Sequence, residues 1–305
     1  MNRSRHIRVV VVALIMLSIS GQTAAQVPEP DGAGVKRGVL PGSWQASGPQ
    51  CPDKPAFQIH AYNEDVYILR ESGCSNYEKP FLFLLFGTER ALLLDTGAGT
   101  TDVAMVVKEI VNRWLSRNGR DAIDLIVAHT HAHGDHIAGD AQLKALPRTT
   151  VVEPTVAGVQ SFFRFRNWPT QASTYDLGHR VMDIIPIPGH EPSSIAVYDR
   201  ETAILFTGDT LYPGRLYVSD AAEFARSIQR LADFTRGKVV AHIIGNHIEQ
   251  TRTPYLDYPV GTVYQPDEHA LELGRAQLLE LNEALRGMEG SVRRRAYRDF
   301  TIWPH

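Results

Sequence analysis

Short apolar runs bounded by glycine and polar residues recur along most of the chain, and this pattern predicts β-strands. Near the start of the folded body the runs cover residues 66–70, 81–86 and 91–94, and the segment 87–90 predicts a hairpin turn between the last two. Further strands are predicted at residues 123–127, 181–187, 195–198, 203–206 and 239–244. The body is therefore expected to open as antiparallel sheet.

A helical period appears after residue 95, where apolar residues recur at spacings of three and four and predict a helix that begins near Thr101. Further helices are predicted at residues 138–146, 222–234 and 267–286. The last is amphipathic, and we expect its stripe of Leu271, Leu278, Leu281 and Leu285 to cover a sheet face. The alternation of strand, glycine turn and helix, without a long linker or an internal repeat, predicts one α/β domain with two sheets and flanking helices.

The first 25 residues have the layout of a secretory signal peptide. Three arginines precede an apolar run over residues 9–19, and the small residues 23–25 follow. That run is shorter than the roughly 20 residues of a bilayer span, so we expect removal after about Ala25, with a retained membrane anchor as the alternative. We therefore predict that the protein is exported, either to the periplasm or out of the cell, and that it has no stable membrane anchor after signal removal. The mature chain is predicted to consist of an N-terminal arm at residues 26–50 and a domain at residues 51–305.

Composition narrows the class of protein. The chain has 305 residues, 43% of them hydrophobic, and a net charge of -3, which fits a globular domain. Its basic residues are scattered, so we expect no nucleic-acid partner. The only two cysteines, Cys51 and Cys74, predict one disulfide bond in an exported chain, and two free buried thiols are the alternative.

The segment from His131 to His136 carries the strongest chemical signal, because it places four ligand-type side chains within six residues, directly after an apolar run. Imidazole nitrogens and carboxylate oxygens are donors that zinc accepts. His190, Asp209 and His247 also follow strand-like runs bounded by glycine. A metal site explains this pattern, whereas a solvated histidine-rich loop, the alternative, does not predict the downstream residues.

Five motifs together resemble the metallo-β-lactamase superfamily, and they resemble its glyoxalase II and lactonase branch more than true β-lactamases. The motifs are Asp95-Thr96-Gly97, His131-Ala132-His133-Gly134-Asp135-His136, residues 188–194 around His190, Gly208-Asp209-Thr210 and Gly245-Asn246-His247. The resemblance implies an αββα four-layer sandwich of two mixed β-sheets flanked by helices. Glu191, Ser193 and Asn246 depart from the usual surroundings of the ligands but leave the ligand histidines in place.

The resemblance also implies a set of ligands for each of two zinc ions. Iron or manganese is possible in place of zinc. His131, His133 and His190 hold the first ion, Asp135, His136 and His247 hold the second, and Asp209 bridges them. Seven ligands exceed what one tetrahedral zinc ion uses, which supports two sites. Asp95 is interpreted as a carboxylate that positions backbone or a ligand imidazole. His129 and His242 have no counterpart in the motifs and are expected to be structural.

These assignments predict a metal-dependent hydrolase with a small-molecule substrate. The predicted reaction is cleavage of an ester, lactone or related carbonyl by a metal-bound hydroxide, with Asp135 as the catalytic residue that orients water or relays a proton. The alternatives are a β-lactam hydrolase, an iron-dependent redox enzyme of the same fold, and a metal-binding protein without activity. The oligomeric state is not predicted.

The segment after Asp209 supplies the candidate substrate contacts. We predict that Tyr212, Arg215 and Tyr217 reach the mouth of the site, and that Arg215 pairs with a substrate carboxylate. A surface loop with packed aromatic rings is the alternative interpretation.

Overall fold

The computed structural model describes residues 34–44, residue 51 and residues 54–305. The predicted signal peptide therefore lies outside the described residues, as does part of the predicted arm. Cleavage after about Ala25 stays a prediction.

The described part of the chain forms strands and helices in this order: β1 (Phe57–Asn63), β2 (Val66–Glu71), β3 (Phe81–Phe86), β4 (Arg90–Leu94), α1 (Val103–Arg117), β5 (Asp124–Ala128), α2 (Gly134–Ile137), α3 (Asp140–Lys144), β6 (Thr149–Val151), α4 (Val156–Phe163), β7 (Ser173–Asp176), β8 (Val181–Pro186), β9 (Ile195–Asp199), β10 (Ile204–Gly208), β11 (Arg215–Val218), α5 (Ala221–Phe234), β12 (His242–Gly245), β13 (Glu272–Leu273), α6 (Arg275–Arg286), β14 (Arg295–Ala296) and β15 (Thr301–Pro304).

Two six-stranded mixed sheets form the centre of the molecule. The first has the order β1-β2-β3-β4-β5-β6, antiparallel as far as β4 and parallel from β4 to β6. The second has the order β13-β12-β10-β9-β8-β7, in which β10 and β12 run parallel. A small third sheet, β11-β15-β14, lies beside them. The predicted hairpin between β3 and β4 is confirmed.

Three apolar clusters show how the layers stack. The central cluster joins the inner faces of the two sheets through residues such as Phe83 and Phe206, whose ring centroids lie 4.6 Å apart. A second cluster packs α1 and α3 on the outer face of the first sheet, and a third packs α5 and α6 on the outer face of the second. The order of layers is helix, sheet, sheet, helix, as predicted.

The helix α1 illustrates why the sequence folds this way locally. The Asp102 side chain accepts a hydrogen bond from the Met105 backbone N–H and caps the first turn. Val103, Val107 and Ile110 recur on one face and are fully buried against the first sheet. The predicted start near Thr101 is therefore accurate to two residues.

The predicted helix over residues 267–286 is too long at its N-terminal end. The helix α6 begins only at Arg275, because β13 pairs with β12 immediately before it and Gly274 occupies the N-cap. Leu271 consequently packs in the cluster between the sheets, apart from the other leucines of its predicted stripe. The predicted helix over 138–146 is also too long, because only α3 (Asp140–Lys144) lies within it; α2 ends just before it, at Ile137.

The described part of the predicted N-terminal arm, residues 34–44, lies along the edge of the first sheet. Val39 donates a backbone hydrogen bond to the Tyr62 carbonyl at 2.9 Å, and the Trp44 ring packs edge-on against Phe81. Cys51 and Cys74 form the predicted disulfide bond. Within the described ranges, no helix has both the length and the apolar composition needed to cross a membrane.

Candidate metal centre and active site

Loops that leave the ends of strands in both sheets carry the seven predicted metal ligands. The histidine-rich segment follows β5 and enters α2, His190 follows β8, Asp209 follows β10, and His247 follows β12. Because β4 and β5 are parallel neighbours, and so are β10 and β12, their C-terminal ends open on one edge of the sandwich. Ligands that are far apart in sequence therefore meet in one small volume.

Three imidazoles form the first donor group, which consists of His131, His133 and His190. The Nδ1 atom of His133 lies 3.1 Å from His131 Nε2 and 3.1 Å from His190 Nε2. All three ligand atoms fall within 4.8 Å of one another. This is the spacing expected of nitrogens that surround one ion.

One carboxylate and two imidazoles form the second donor group, which consists of Asp135, His136 and His247. Asp135 Oδ2 lies 3.3 Å from His136 Nε2 and 3.4 Å from His247 Nε2. The two imidazole Nε2 atoms are themselves 3.4 Å apart. The structure thus brings together the predicted ligands of each ion as separate, adjacent groups.

Asp209 lies between the two groups and faces both with a single oxygen. Its Oδ2 atom is 3.8 Å from the Nε2 atoms of His131 and His190, 3.7 Å from that of His136 and 3.3 Å from that of His247. Its other oxygen, Oδ1, is buried and has no hydrogen-bond partner among the described residues. A buried carboxylate oxygen without a donor is costly, and a bound cation would remove that cost.

The outer ring nitrogens fix which nitrogen of each imidazole points inward. His190 Nδ1 lies 2.8 Å from the Tyr217 carbonyl oxygen, and His247 Nδ1 lies 2.9 Å from the Glu78 carbonyl oxygen. Because a carbonyl oxygen can only accept, each Nδ1 carries a proton, and Nε2 is the ring nitrogen left to face the centre. This is the arrangement that metal-binding histidines require.

Asp95 fixes a third imidazole in the same way. Its carboxylate accepts from His136 Nδ1 at 3.1 Å, from the Thr130 backbone N–H at 2.7 Å and from the Thr130 hydroxyl at 2.8 Å. Asp95 is fully buried and has φ +67°, which lets its side chain turn beneath the histidine-rich segment. The side chain lies where the predicted positioning role requires it.

Asn246 is a functional residue that the sequence analysis did not assign. Its Nδ2 atom donates to Asp95 Oδ2 at 2.6 Å and to the Phe81 carbonyl at 2.6 Å. The amide therefore links the second sheet to the first and supports the carboxylate that orients His136. The only signal in the sequence is the unusual asparagine directly before His247.

Close backbone contacts explain two glycines of the motifs. At Gly189, where φ is +133°, an added Cβ would lie 2.4 Å from the Phe224 backbone. At Gly208, where φ is +55°, an added Cβ would lie 2.8 Å from the Thr130 Cβ. Each glycine lets its loop deliver the next residue, a predicted ligand, close to the opposing element.

Charges in the centre favour ionised carboxylates. Burial raises the pKa of Asp209, but His247 and His136 outweigh it and hold the pKa well below its usual value. The same imidazoles lower the pKa of Asp135 against the effect of burial. Burial lowers the pKa of His131 well below its usual value, and the neighbouring His136 lowers it further. Burial also lowers the pKa of His190. In contrast, Asp135 and Asp209 outweigh burial at His136 and His247 and raise the pKa of both imidazoles well above the usual value. The centre thus offers ionised carboxylates, and its first donor group favours neutral imidazoles.

These residues fit divalent metal ions. Inward-facing ring nitrogens lie 3.1 to 3.4 Å apart, as His131 Nε2 and His133 Nδ1 do, and a cation between such nitrogens would be bound by both once they are deprotonated. Nitrogen and carboxylate donors match the preferences of zinc, and the unpartnered Oδ1 of Asp209 adds a further donor. The divalent-metal part of the cofactor prediction therefore agrees with the donor set.

A cavity of about 330 Å³ opens over both donor groups. Its floor includes His133, Asp135 and Asp209, and its walls come from the loop between β2 and β3, the segment around residues 259–265 and β11. This volume is within the usual range for a small-molecule site, roughly 300 to 1,000 Å³.

All three predicted substrate contacts line the cavity, but only Tyr217 keeps appreciable exposure. Tyr212 is 1% exposed, and its ring packs edge-on against the His247 imidazole with centroids 5.6 Å apart. The Arg215 guanidinium lies 3.1 Å from the Glu249 carboxylate and 3.4 Å from the Asp257 carboxylate. The prediction that Arg215 pairs with a substrate carboxylate is therefore disfavoured, because two acids of the chain already compensate its charge.

The structure gives the two remaining nearby histidines structural surroundings, as expected. His129 is buried, and its Nε2 atom lies 2.8 Å from Asp140 Oδ1. The His242 ring packs edge-on against Tyr62 with centroids 5.9 Å apart. Neither residue belongs to a donor group.

Comparison with known proteins places this geometry in a family. Residues 80–280 match the Metallo-beta-lactamase superfamily. A hydroxyacylglutathione hydrolase of Methylococcus capsulatus is 32% identical over 113 residues, 34% of this chain and 42% of that protein. The acyl-coenzyme A thioesterase MBLAC2 of Bos taurus is 22% identical over 218 residues, 60% of this chain and 78% of that protein. The matched part of this chain thus spans less than half of the first relative.

Solved structures agree on the fold. The metallo-β-lactamase FIM-1 from Pseudomonas aeruginosa, solved in a mono-zinc form, superposes with a TM-score of 0.51 at 18% identity, over 78% of this chain and 98% of that one. The family match covers most of the chain and confirms the predicted class of metal-dependent hydrolases. The chain belongs to the metallo-β-lactamase superfamily.

Proposed function

We propose that the protein is an exported dinuclear zinc hydrolase that cleaves an ester, a lactone or a related carbonyl substrate. The observation that carries this proposal is Asp209 Oδ2, which faces both donor groups at the floor of one cavity. A single carboxylate oxygen shared between two groups of three donors suits two ions that act on one substrate.

The first ion would be held by His131, His133 and His190, the second by Asp135, His136 and His247, and Asp209 would contact both. Zinc fits this mixture of imidazole and carboxylate donors, with iron or manganese as the tested alternatives. When bound, such ions supply an activated water and polarise a carbonyl oxygen.

Asp135 is the residue of the chain best placed to handle a proton. Its carboxylate lines the cavity and lies against His136 and His247, which hold its pKa low. An ionised carboxylate at the cavity floor accepts a hydrogen bond from a water molecule, and it can thereby orient that water, or relay its proton, during attack on a carbonyl.

The relatives support a carbonyl substrate. One is named a hydroxyacylglutathione hydrolase and the other an acyl-coenzyme A thioesterase. The bridging residue is an aspartate, which resembles the glyoxalase II and lactonase branch more than true β-lactamases. The structural likeness to β-lactamases concerns the fold, so β-lactam hydrolysis is an outcome to test.

Export is part of the same proposal. Its support is the three-part layout of residues 1–25 and the Cys51–Cys74 disulfide bond, a kind of bond that persists in oxidising compartments. N-terminal sequencing of protein recovered from the periplasm or the medium tests it. A mature chain that starts near residue 26 is expected, and a full-length chain retained in the cytoplasm would contradict export.

A substrate panel on the zinc-loaded protein tests the reaction. The panel contains an aryl ester, lactones, a thioester, a phosphodiester and a chromogenic β-lactam, and we expect turnover of an ester, lactone or thioester. Asp135→Asn should lower kcat by roughly 100-fold or more, within the range for a lost acid–base group. The matched control is Asp124→Asn, which makes the same change at an exposed position beside Arg148. Turnover of the β-lactam alone, or an unaffected Asp135→Asn variant, would overturn the proposal.

A further inference from the structure

The cavity wall contains two cationic side chains, Lys79 and Arg215, which differ in whether an acidic side chain forms an ion pair with them. Arg215 forms ion pairs with Glu249 and Asp257. Lys79 has no carboxylate oxygen within 4.0 Å of its ammonium in the part of the chain that the structure describes, although the residue is only 3% exposed. A buried charge without a counter-ion is unusual, because burial without pairing is costly.

The Lys79 ammonium is held in a fixed position. Lys79 lies in the loop between β2 and β3 with φ +52°, and its Nζ atom donates to the Tyr77 carbonyl at 2.6 Å and to the Thr262 carbonyl at 2.7 Å. An ammonium has three N–H donors, and two neutral carbonyls use two of them. The third N–H has no acceptor among the contacts that the described residues make, and Lys79 is one of the residues that line the cavity.

The acids nearest to Lys79 have partners of their own. Glu268 is paired with Arg70 in a buried salt bridge, and Glu249 with Arg215. Glu78 is engaged by the Tyr77 hydroxyl, whose pKa it raises to about 12. Glu268, Glu78 and Glu249 act on the Lys79 charge from a distance, but among the described residues none of them forms an ion pair with its ammonium.

We propose that Lys79 binds a carboxylate of the substrate, separate from the carbonyl that reacts, so that the enzyme prefers esters or lactones bearing a second, anionic group. This rests on the proposed function, since the substrate of the same cavity is the molecule that meets Lys79. A carboxylate there would supply the missing counter-ion and accept the third N–H in a charge-assisted hydrogen bond.

The competing explanation is structural: Lys79 could serve only to tie the Thr262 segment to the loop between β2 and β3. The two explanations differ in what happens when the charge of the substrate changes. If Lys79 is only a structural tie, removing its charge should affect the hydrolysis of anionic and neutral substrates alike. If Lys79 is an anion site, removing its charge should impair the hydrolysis of anionic substrates selectively.

A matched substrate pair measures this selectivity. The mono(4-nitrophenyl) ester of adipate and 4-nitrophenyl hexanoate share the leaving group and the chain length and differ in the terminal carboxylate. In Lys79→Met, the ratio of kcat/KM between the anionic and the neutral ester should fall by about 10- to 100-fold, the range for hydrogen bonds to charged groups, mainly through KM. Lys79→Arg should restore part of the ratio. Lys108→Met, which removes an exposed charge on α1, is the matched control.

Binding by isothermal titration calorimetry decides the inference without turnover. Wild-type metal-loaded protein should bind adipate more tightly than hexanoate, and Lys79→Met should reduce that difference by about tenfold or more. Equal binding of the two acids by the wild type, or an unchanged difference in the variant, would overturn the role of Lys79. If neither ester nor any other carbonyl substrate is hydrolysed, the proposed function fails, while the calorimetric result still decides this inference.

Discussion

Asp95 gives the sharpest test of how the metal centre is organised. Its carboxylate accepts four hydrogen bonds, two from Thr130 and one each from His136 and Asn246. Asp95→Asn keeps the size of the side chain but replaces one acceptor oxygen by an N–H donor. An amide nitrogen at the Oδ1 position would face the Thr130 backbone N–H, and one at the Oδ2 position would face the other three donors.

Either orientation leaves at least one buried donor opposed by another donor, which costs about 1 to 3 kcal/mol of stability. Loss of the carboxylate also weakens the preference of His136 for the tautomer whose Nε2 lone pair faces the second donor group. Residues that orient a ligand in this way typically contribute 10- to 100-fold in metal affinity. We therefore expect Asp95→Asn to bind the weaker of two zinc ions about 10- to 100-fold less tightly.

Competition with a chromogenic chelator measures the metal affinity, and urea unfolding of the metal-free protein measures stability separately. Asp199→Asn is the control, because Asp199 is also fully buried but pairs with Arg180 away from the donor groups. It should lower stability and leave zinc affinity unchanged. Wild-type zinc affinity in a folded Asp95→Asn variant would refute this account of how His136 is oriented.

Three further predictions follow from other parts of the structure. Gly189→Ala should lower the melting temperature and the zinc content, because the new Cβ would meet the Phe224 backbone at 2.4 Å; unchanged zinc content by mass spectrometry would count against it. Replacing Cys51 and Cys74 together by alanine should lower the unfolding free energy by about 3 kcal/mol, since the bond closes a loop with a sequence separation of 23, and a loss in urea unfolding below about 1 kcal/mol would oppose this. Burial and the nearby Arg70 lower the pKa of Lys79 to about 8, although Glu268, Glu78 and Glu249 act in the opposite direction. The ammonium is present below that pH and lost above it, so the preference for the anionic ester should decline above about pH 8; a preference constant to pH 10 would contradict the assignment.

The ligand positions could be predicted from sequence because each lies at a point that local pattern marks. Asp209 follows an apolar strand and a glycine, and so does His247 after one asparagine. A glycine turn at the end of a strand restricts the path of the backbone, and the order of the motifs indicates which other residues are ligands of the same centre.

The charge environment of the cavity could not be predicted in the same way. The Lys79 ammonium donates to the backbone carbonyl of Thr262, 183 residues away, and the Arg215 guanidinium pairs with Glu249, 34 residues away. No local pattern indicates such pairings, so the sequence alone favours Arg215 over Lys79 as an anion site. The short strands of the third sheet were missed for a related reason, since two to four residues carry no measurable period.

Titration of the metal-free protein with zinc, followed by hydrolysis of an aryl ester or lactone at each point, tests the central claim most directly. We predict that bound zinc reaches two equivalents per chain and that turnover appears as the two sites fill. Turnover that is absent at two equivalents, or a protein that takes up one equivalent of iron and hydrolyses no carbonyl substrate, would contradict it.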